Sequence, residues 1–525
     1  MKGRSFLAIV LAMAITVLAK MTEARTLNSS IGTHQSKINS TSHLQFDKIK
    51  GVSVGGWLVT EPFISPSLFW SAIHWSQGSA RSNVSIVDEY TLCQVLGQER
   101  ARVLLLQHYK TWITRNDIQE IKRHGFNLVR IPIGYWAWKK QGTVDQYVNN
   151  ITFYDPYVGG LQLDYFENAL RWCKEAGLKA WIDLHTAPGS QNGFDNSGQR
   201  LLNEDLGWLA KNTTKELTHA ILRNIFDEYV DGKWKDVIVG VEIINEPMGH
   251  ILGIENVIEF YNETINDYLD TGKKTPLVIQ EAFQDVGFWN DYWNDTKLTI
   301  YVDHHHYEVF SYDQLLNDQF TRLTNIMEYG EALEKEQSAH GSIVGEWSGA
   351  ITDCATWLNG LGIGARYDGT YYKTVNSSRE HRYILGACQS HKDISLWDRE
   401  YKMQVRQFIE AQLTSFSANS KGWIFWNWKT ESAPEWDYLK LVTHGVFPHP
   451  FDNLTYFNSD GSMGTVLTSS LESSRNNRIK YNAHASSSAA LGPTGIAFNA
   501  IKLLMQTASK FVTVLLFVVT ALVAF

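Results

Sequence analysis

Short apolar or β-branched runs recur along the chain, and patterns with helical starts and stops separate them. The runs fall at residues 51–59, 127–132, 179–184, 237–244, 276–279, 298–302, 342–345 and 422–425. Runs that are apolar on both faces predict strands buried on both sides. Between them, Thr114 with Asp117 opens a helix that Gly125 closes, and Asp164 with Glu167 opens one that Gly177 closes. Eight strands alternating with helices predict an α/β chain folded as a (β/α)8 barrel with extended βα loops, whose active site lies at the strands' C-terminal ends. A doubly wound open sheet is the rival, but no Gly-x-Gly-x-x-Gly follows an early strand.

A barrel makes a demand on the residues that end these runs, because they must converge on one pocket. In order they are Glu61, Arg130, His185, Asn245 with Glu246, Glu281, His305 with Tyr307, Glu346 and Trp426. Singly, each has a plain explanation: Arg130 as a surface ion pair, His185 as a satisfied core histidine, His304-His305-His306 as a solvated loop or a metal site. Ionisable or aromatic groups at nearly every strand end are hard to ascribe to packing. Glu246 and Glu346, each closing an apolar run, are the minimum equipment for cleaving a glycosidic bond. One carboxyl protonates the departing sugar oxygen while the other attacks the anomeric carbon or activates water.

Composition narrows the picture. The chain is 44% apolar, 19% charged and 13% aromatic, which describes a folded protein rich in rings. Its 19 Trp and 23 Tyr exceed the needs of such a core, although most serve it, and flat rings suit the C–H faces of sugars. A net charge of −8 with no basic block argues against nucleic acid and fits a neutral ligand. Residues 1–24 read as a signal peptide, 25–45 as a Ser/Thr/Asn-rich segment, 46–482 as the catalytic barrel, 483–510 as a small-residue spacer, and 511–525 as a hydrophobic tail. That tail resembles a lipid-anchor (GPI-type) signal, with a plain tail anchor or retained membrane helix as the alternative. Sequons at Asn28, Asn39, Asn83, Asn150, Asn212, Asn262, Asn294, Asn376 and Asn453 agree with secretion to the cell surface or wall.

Four cysteines are too few to create a fold of this size. Cys354 and Cys388 flank a Gly- and Tyr-rich stretch, and a bridge between them is expected to stabilise that loop by roughly 3–4 kcal/mol. Cys173 lies on the apolar face of its helix and reads as core. Cys93 has similar company, and its pairing with Cys173 stays open. Metal-ligand spacing such as Cys-x-x-Cys is absent.

Several motifs together resemble glycoside hydrolase family 5. They are Gly55-Gly56-Trp57, Leu128-Val129-Arg130-Ile131-Pro132-Ile133-Gly134, Asp183-Leu184-His185, Asn245-Glu246-Pro247, His305-His306-Tyr307, Gly345-Glu346-Trp347 and Phe425-Trp426. Longer blocks, such as Ala187-Pro188-Gly189-Ser190-Gln191-Asn192-Gly193-Phe194-Asp195-Asn196-Ser197-Gly198, Trp357-Leu358-Asn359-Gly360 and Trp428-Lys429-Thr430-Glu431, are similar to the secreted exo-β-1,3-glucanases of fungi and similar walled microbes. The similarity runs from about residue 48 to about residue 450.

The resemblance implies a retaining double displacement, with Glu346 as nucleophile and Glu246 first as general acid, then as general base. It further implies that Arg130 and Tyr307 keep Glu346 ionised, and that burial and the neighbouring negative charge keep the proton on Glu246. Asn245 would donate to the sugar 2-hydroxyl, His185 and His305 would hold glycone and carboxylates, and Trp426 would floor the pocket. Glu61, Asp195 and Asn359 would bind the terminal glucose, with Phe194 and Phe310 clamping the next sugar. The implied activity is release of glucose from non-reducing ends of β-1,3-glucan, in cell-wall remodelling, by a monomer without cofactor or metal. Transglycosylation, another β-glucoside as substrate (β-1,4- or β-1,6-glucan, a glucosyl-lipid), and a non-catalytic glucan-binding role are the alternatives.

Overall fold

The computed structural model describes residues 48–471, apart from 78–83, 144, 204, 338, 373–383 and 470. The expected segments 1–24, 25–45, 483–510 and 511–525, and the sequons at Asn28, Asn39, Asn83 and Asn376, lie outside the described residues.

Eight parallel strands close into a barrel in chain order. They are β1 (Ile49–Ser53), β2 (Leu128–Ile133), β3 (Lys179–Leu184), β4 (Ile238–Glu242), β5 (Leu277–Gln280), β6 (Ile300–His306), β7 (Gly341–Trp347) and β8 (Gly422–Phe425). The expected (β/α)8 architecture is therefore observed. β8 pairs with β1 to close the ring, with Gly422 opposite Ile49. A Cβ at Gly422, where φ is +136°, would come within 2.1 Å of the Ile49 carbonyl oxygen, so closure here requires glycine.

Two strands depart from the hydrophobic pattern. β1 is shorter than residues 51–59, because the turn at Gly55-Gly56, with Gly56 at φ +66°, redirects the chain. β6 continues past residue 302 through Asp303-His304-His305-His306. Polar side chains are tolerated in this strand because Asp303 accepts from the Gly345 N–H, His304 meets Glu336 of the helix Gln319–Glu336 and His305 meets Glu246, a compensation that apolar patterning cannot register.

The helix Arg115–Arg123 begins as expected at Thr114, whose side chain exchanges capping hydrogen bonds with Asp117. It buries Ile118 and Ile121. The next helix starts at Gln162, so Asp164 lies in its first turn and not at its cap. Gln162 is drawn in by hydrogen bonds to Tyr109 Oη and the Val158 carbonyl. Strand residues such as Val129, Ile182, Val241, Ile279, Val302 and Phe425 are wholly buried between barrel and helices. Trp57, Trp136, Trp181, Trp208, Trp289, Trp347, Trp423, Trp428 and Trp436 are buried as well, and with Trp138, Trp234, Trp397 and Trp426 they make 13 of the 19 tryptophans withdrawn from the surface. Cys354 and Cys388 are joined, whereas Cys93 and Cys173 are free and buried.

Candidate active site

The C-terminal strand ends bring Arg130, His185, Asn245, Glu246, His305, Tyr307, Glu346 and Trp426 to one mouth of the barrel. Glu246 is 7% exposed and Glu346 4%, so both carboxyls are largely withdrawn from water. One oxygen of each, together with a ring nitrogen of His305, all lie within 4.8 Å of one another. That spacing suits a nucleophile and an acid flanking a single bond, and is too close for an interposed water, which needs ~6.5–9.5 Å.

Arg130 is fully buried and anchors the floor. Its Nε and Nη2 donate to Glu242 at 3.0 and 3.1 Å, its Nη1 donates to Glu346 Oε1 at 2.6 Å, and its Nη2 donates to Asn245 Oδ1 at 2.9 Å. Engaging the Asn245 oxygen orients the amide, leaving Nδ2 with no protein partner. This is the arrangement required to donate to a sugar hydroxyl. Tyr307 Oη donates to Glu346 Oε2 at 2.9 Å. His185 Nδ1 lies 2.6 Å from Asp183 Oδ2, its ring stacks at 5.6 Å on Trp426, and its Nε2 is free of protein partners.

Glu246 sits at φ +45°, a left-handed backbone that costs a residue with a Cβ about 1–3 kcal/mol. Buried Gln191 holds this elbow. Its Nε2 donates to the carbonyls of His185 and Asn245 at 2.9 and 3.0 Å, its Oε1 accepts from the Ala187 N–H at 3.0 Å, and its own carbonyl accepts from Met248 N–H at 3.0 Å. Asn196 Nδ2 donates to Glu246 Oε2 at 2.9 Å.

The electrostatics correct one expectation. Burial raises the Glu246 carboxyl, but the hydrogen bond from His305 Nδ1 at 2.8 Å, the charge of His305 and the bond from Asn196 together hold it below its ordinary range. Burial raises Glu346, and the charges of His305 and Arg130 do not fully offset it. Burial lowers His305, yet Glu346 and Asp303 carry it well above an ordinary histidine. These directions favour positive charge on His305, in contact with an ionised Glu246.

Glu61 is 3% exposed and accepts from the Gly56 N–H at 3.2 Å; burial, then the charges of Asp195 and Glu346, push its carboxyl up. Burial pushes Asp195 to about 7 against the pull of Arg200, and its Oδ2 has no protein partner. Asn359 already has protein partners. Its Nδ2 donates to Asp353 at 3.0 Å and to the Gly364 carbonyl at 2.9 Å, while its Oδ1 accepts from Arg366 at 2.6 Å, so the amide N–H groups brace the disulfide-bridged loop. Phe194 and Phe310 are 44% and 41% exposed. Phe194 packs edge-on to Phe283 at 6.4 Å, a third exposed ring that apolar patterning did not single out. Asp183, Gln191 and Asn196 stand in the motifs quoted above without a role assigned to them, and Glu242 and Asp303 were not singled out. A signal for two of them was present, since Asp183-x-His185 and Asp303-x-His305 repeat one spacing at two strand ends.

The family profile described as cellulase (glycosyl hydrolase family 5) matches residues 97–355. Glucan 1,3-beta-glucosidase 2 of Saccharomyces cerevisiae is 51% identical over 445 residues, covering 81% of this chain and 79% of that one. Glucan 1,3-beta-glucosidase of Schwanniomyces occidentalis is 42% identical over 420 residues, covering 79% and 90%. Among solved structures, the rutinosidase from Aspergillus niger superposes with a TM-score of 0.54 at 21% identity, covering 76% of this chain and 98% of that one, a likeness of fold.

Proposed function

The chain belongs to glycoside hydrolase family 5, and from that premise we propose that it is a retaining glucan 1,3-β-glucosidase that releases glucose from non-reducing ends of β-1,3-glucan. The observation that carries the reading is the buried pair Glu246 and Glu346, with oxygens within 4.8 Å and His305 between them, in a chain 51% identical over 445 residues to a glucan 1,3-beta-glucosidase.

In the first step Glu346 attacks the anomeric carbon while Glu246 gives a proton to the departing glucosidic oxygen, leaving a glucosyl ester on Glu346. In the second step Glu246 takes a proton from water, and the resulting hydroxide displaces Glu346 and frees glucose with its configuration retained. Arg130 and Tyr307 each donate to Glu346, which supports its role as the ionised nucleophile. Asn245 Nδ2 is a donor for a glycone hydroxyl, and His185 Nε2, the acceptor of a ring that donates to Asp183 through Nδ1, takes the proton of another; both lack protein partners. Glu61 and Asp195 take the far end of the terminal glucose. Exo action rests on the loop 187–197 and the described parts of the bridged loop, 354–372 and 384–388, as the wall of a closed pocket, with Phe194 and Phe310 at the entrance. The 1–24 leader, the sequons and the 511–525 tail support secretion to the cell surface and anchoring there.

Glu346→Gln and Glu246→Gln test the roles. The first is expected to abolish turnover of every substrate. The second is expected to reduce kcat/KM on laminarin by about 10²–10⁴-fold, and far less on a dinitrophenyl β-glucoside whose leaving group needs no proton. Equal losses on both substrates would reject the assignment.

A further inference from the structure

Beneath the two glutamates lies a buried carboxylate to which the reaction assigns nothing. Asp303 is fully buried on β6, two residues before His305. Its Oδ1 accepts from the Gly345 N–H at 2.7 Å, and its Oδ2 lies 3.4 Å from His305 Nε2. Neither Asp303 Oδ2 nor His305 Nε2 has a conventional hydrogen bond elsewhere. Two orphaned polar atoms facing each other in a dry interior define a donor and an acceptor, and the acceptor can only be the carboxylate.

The Gly345 contact reaches the other catalytic strand. Pairing of β6 with β7 slips at this point, so that His304 faces Val344 but His305 faces Glu346, which leaves Gly345 as the extra residue of a bulge. A Cβ on Gly345 would lie 2.0 Å from Asp303 Oδ1, so the carboxylate fills the space that glycine leaves. One side chain therefore ties the backbone that presents Glu346 to the ring that contacts Glu246.

Building on the function proposed above, we propose that Asp303 is a positioning residue that holds His305 as an imidazolium, making His305 the store from which Glu246 draws its catalytic proton. The bookkeeping closes over one turnover. The Nδ1 proton crosses the 2.8 Å bond to Glu246 Oε1 as Glu246 protonates the leaving oxygen, and the proton that Glu246 later takes from water returns to Nδ1.

The charges facing His305 all bear on its titration. On the Nδ1 side stand Glu246 at 2.8 Å and Glu346 at 3.4 Å. On the opposite side stand Asp303 from β6 and Glu242 from β4, which approach a ring nitrogen together. Glu281 after β5 accepts the His305 backbone N–H at 3.1 Å. Against these anions stands Arg130 of β2, which is itself shared with Glu242, Glu346, the Asp183 that pairs with His185 and, at 3.9 Å, Asp303 Oδ2. Removing the Asp303 charge thus removes an anion with a near-contact to Nε2, and His305 surrenders its proton at lower pH.

The test is Asp303→Asn, which keeps the shape and an oxygen for Gly345. Its pH profile of kcat/KM on laminarin is expected to lose activity on the alkaline side at least one pH unit earlier than the parent's, with at least a tenfold loss at pH 7. On a dinitrophenyl β-glucoside at pH 7 the loss is expected to be several-fold smaller. An unmoved alkaline limb, or equal losses on both substrates, would overturn the inference while leaving the proposed function intact. A parent enzyme inactive on laminarin but active on the aryl glucoside would overturn the substrate reading, and the pH shift would then be read on a phenyl glucoside, which needs the acid. If the variant does not fold, the parent decides. With His305→Gln assigning the signal, ¹⁵N NMR is expected to show both His305 nitrogens protonated at pH 7, and a neutral ring at that pH would reject the proposal.

Discussion

Replacing Gln191 by Met removes three buried hydrogen bonds while nearly preserving volume. The amide lies at 0% exposure and joins the carbonyls of His185 and Asn245 to the N–H of Ala187. Stranding each backbone partner costs ~1–3 kcal/mol, so the three together cost about 4 kcal/mol when some relaxation is allowed. Unfolding entropy of ~2.1 cal/mol/K per residue over about 400 described residues makes this a drop of roughly 4–5 °C in Tm. The functional consequence is larger. Asn245 precedes Glu246, whose backbone at φ +45° persists because the surroundings impose it. Once freed, the elbow relaxes and Glu246 leaves its place beside the scissile oxygen, and a displacement of ~1 Å is worth about 10²-fold. Thermal denaturation and kcat/KM on laminarin and on a dinitrophenyl β-glucoside check both parts. A Tm within a degree of the parent, or equal losses on the two substrates, would refute the reasoning.

Two further outcomes follow from the loops and the buried acids. Cys354→Ser with Cys388→Ser opens a loop of 34 residues, worth about 4 kcal/mol on chain entropy; a lower Tm and a raised KM for laminarin are expected, and an unchanged KM would remove this loop from the pocket wall. Glu435 accepts from Tyr401, Ile351 and Thr352, and burial lifts its carboxyl from 4.5 to about 7 despite those bonds. Its folded pKa is raised, so its contribution is complete below pH 4.5 and is lost as pH rises through 7. Glu435→Gln should therefore gain stability relative to the parent between pH 4.5 and 8 in thermal denaturation, and a constant difference would contradict the assignment.

The barrel was legible in the sequence because parallel strands buried on both faces carry a strong apolar signal, and all eight were located. The chemistry beneath the site was less so. β6 seemed to stop at residue 302 because Asp303, His304 and His305 look like loop when their partners are unknown. Those partners, including Glu242 and Glu346, come from strands distant in sequence, so polar residues in a barrel interior are explained only in three dimensions. The Gln191 clip is invisible for the same reason. Asn359 shows the reverse case, since its residue type suits a sugar ligand but Asp353 and Arg366 occupy its amide. The contact of His305 Nδ1 with Glu246 at 2.8 Å, which lowers the Glu246 carboxyl, is one that no spacing reveals.

The most direct test follows products by NMR as the protein acts on laminarin and on cellohexaose. The account expects β-glucose as the first product from laminarin and no cleavage of cellohexaose. First-formed α-glucose, oligosaccharides ahead of glucose, or cleavage of cellohexaose would contradict retention, exo action or β-1,3 preference respectively.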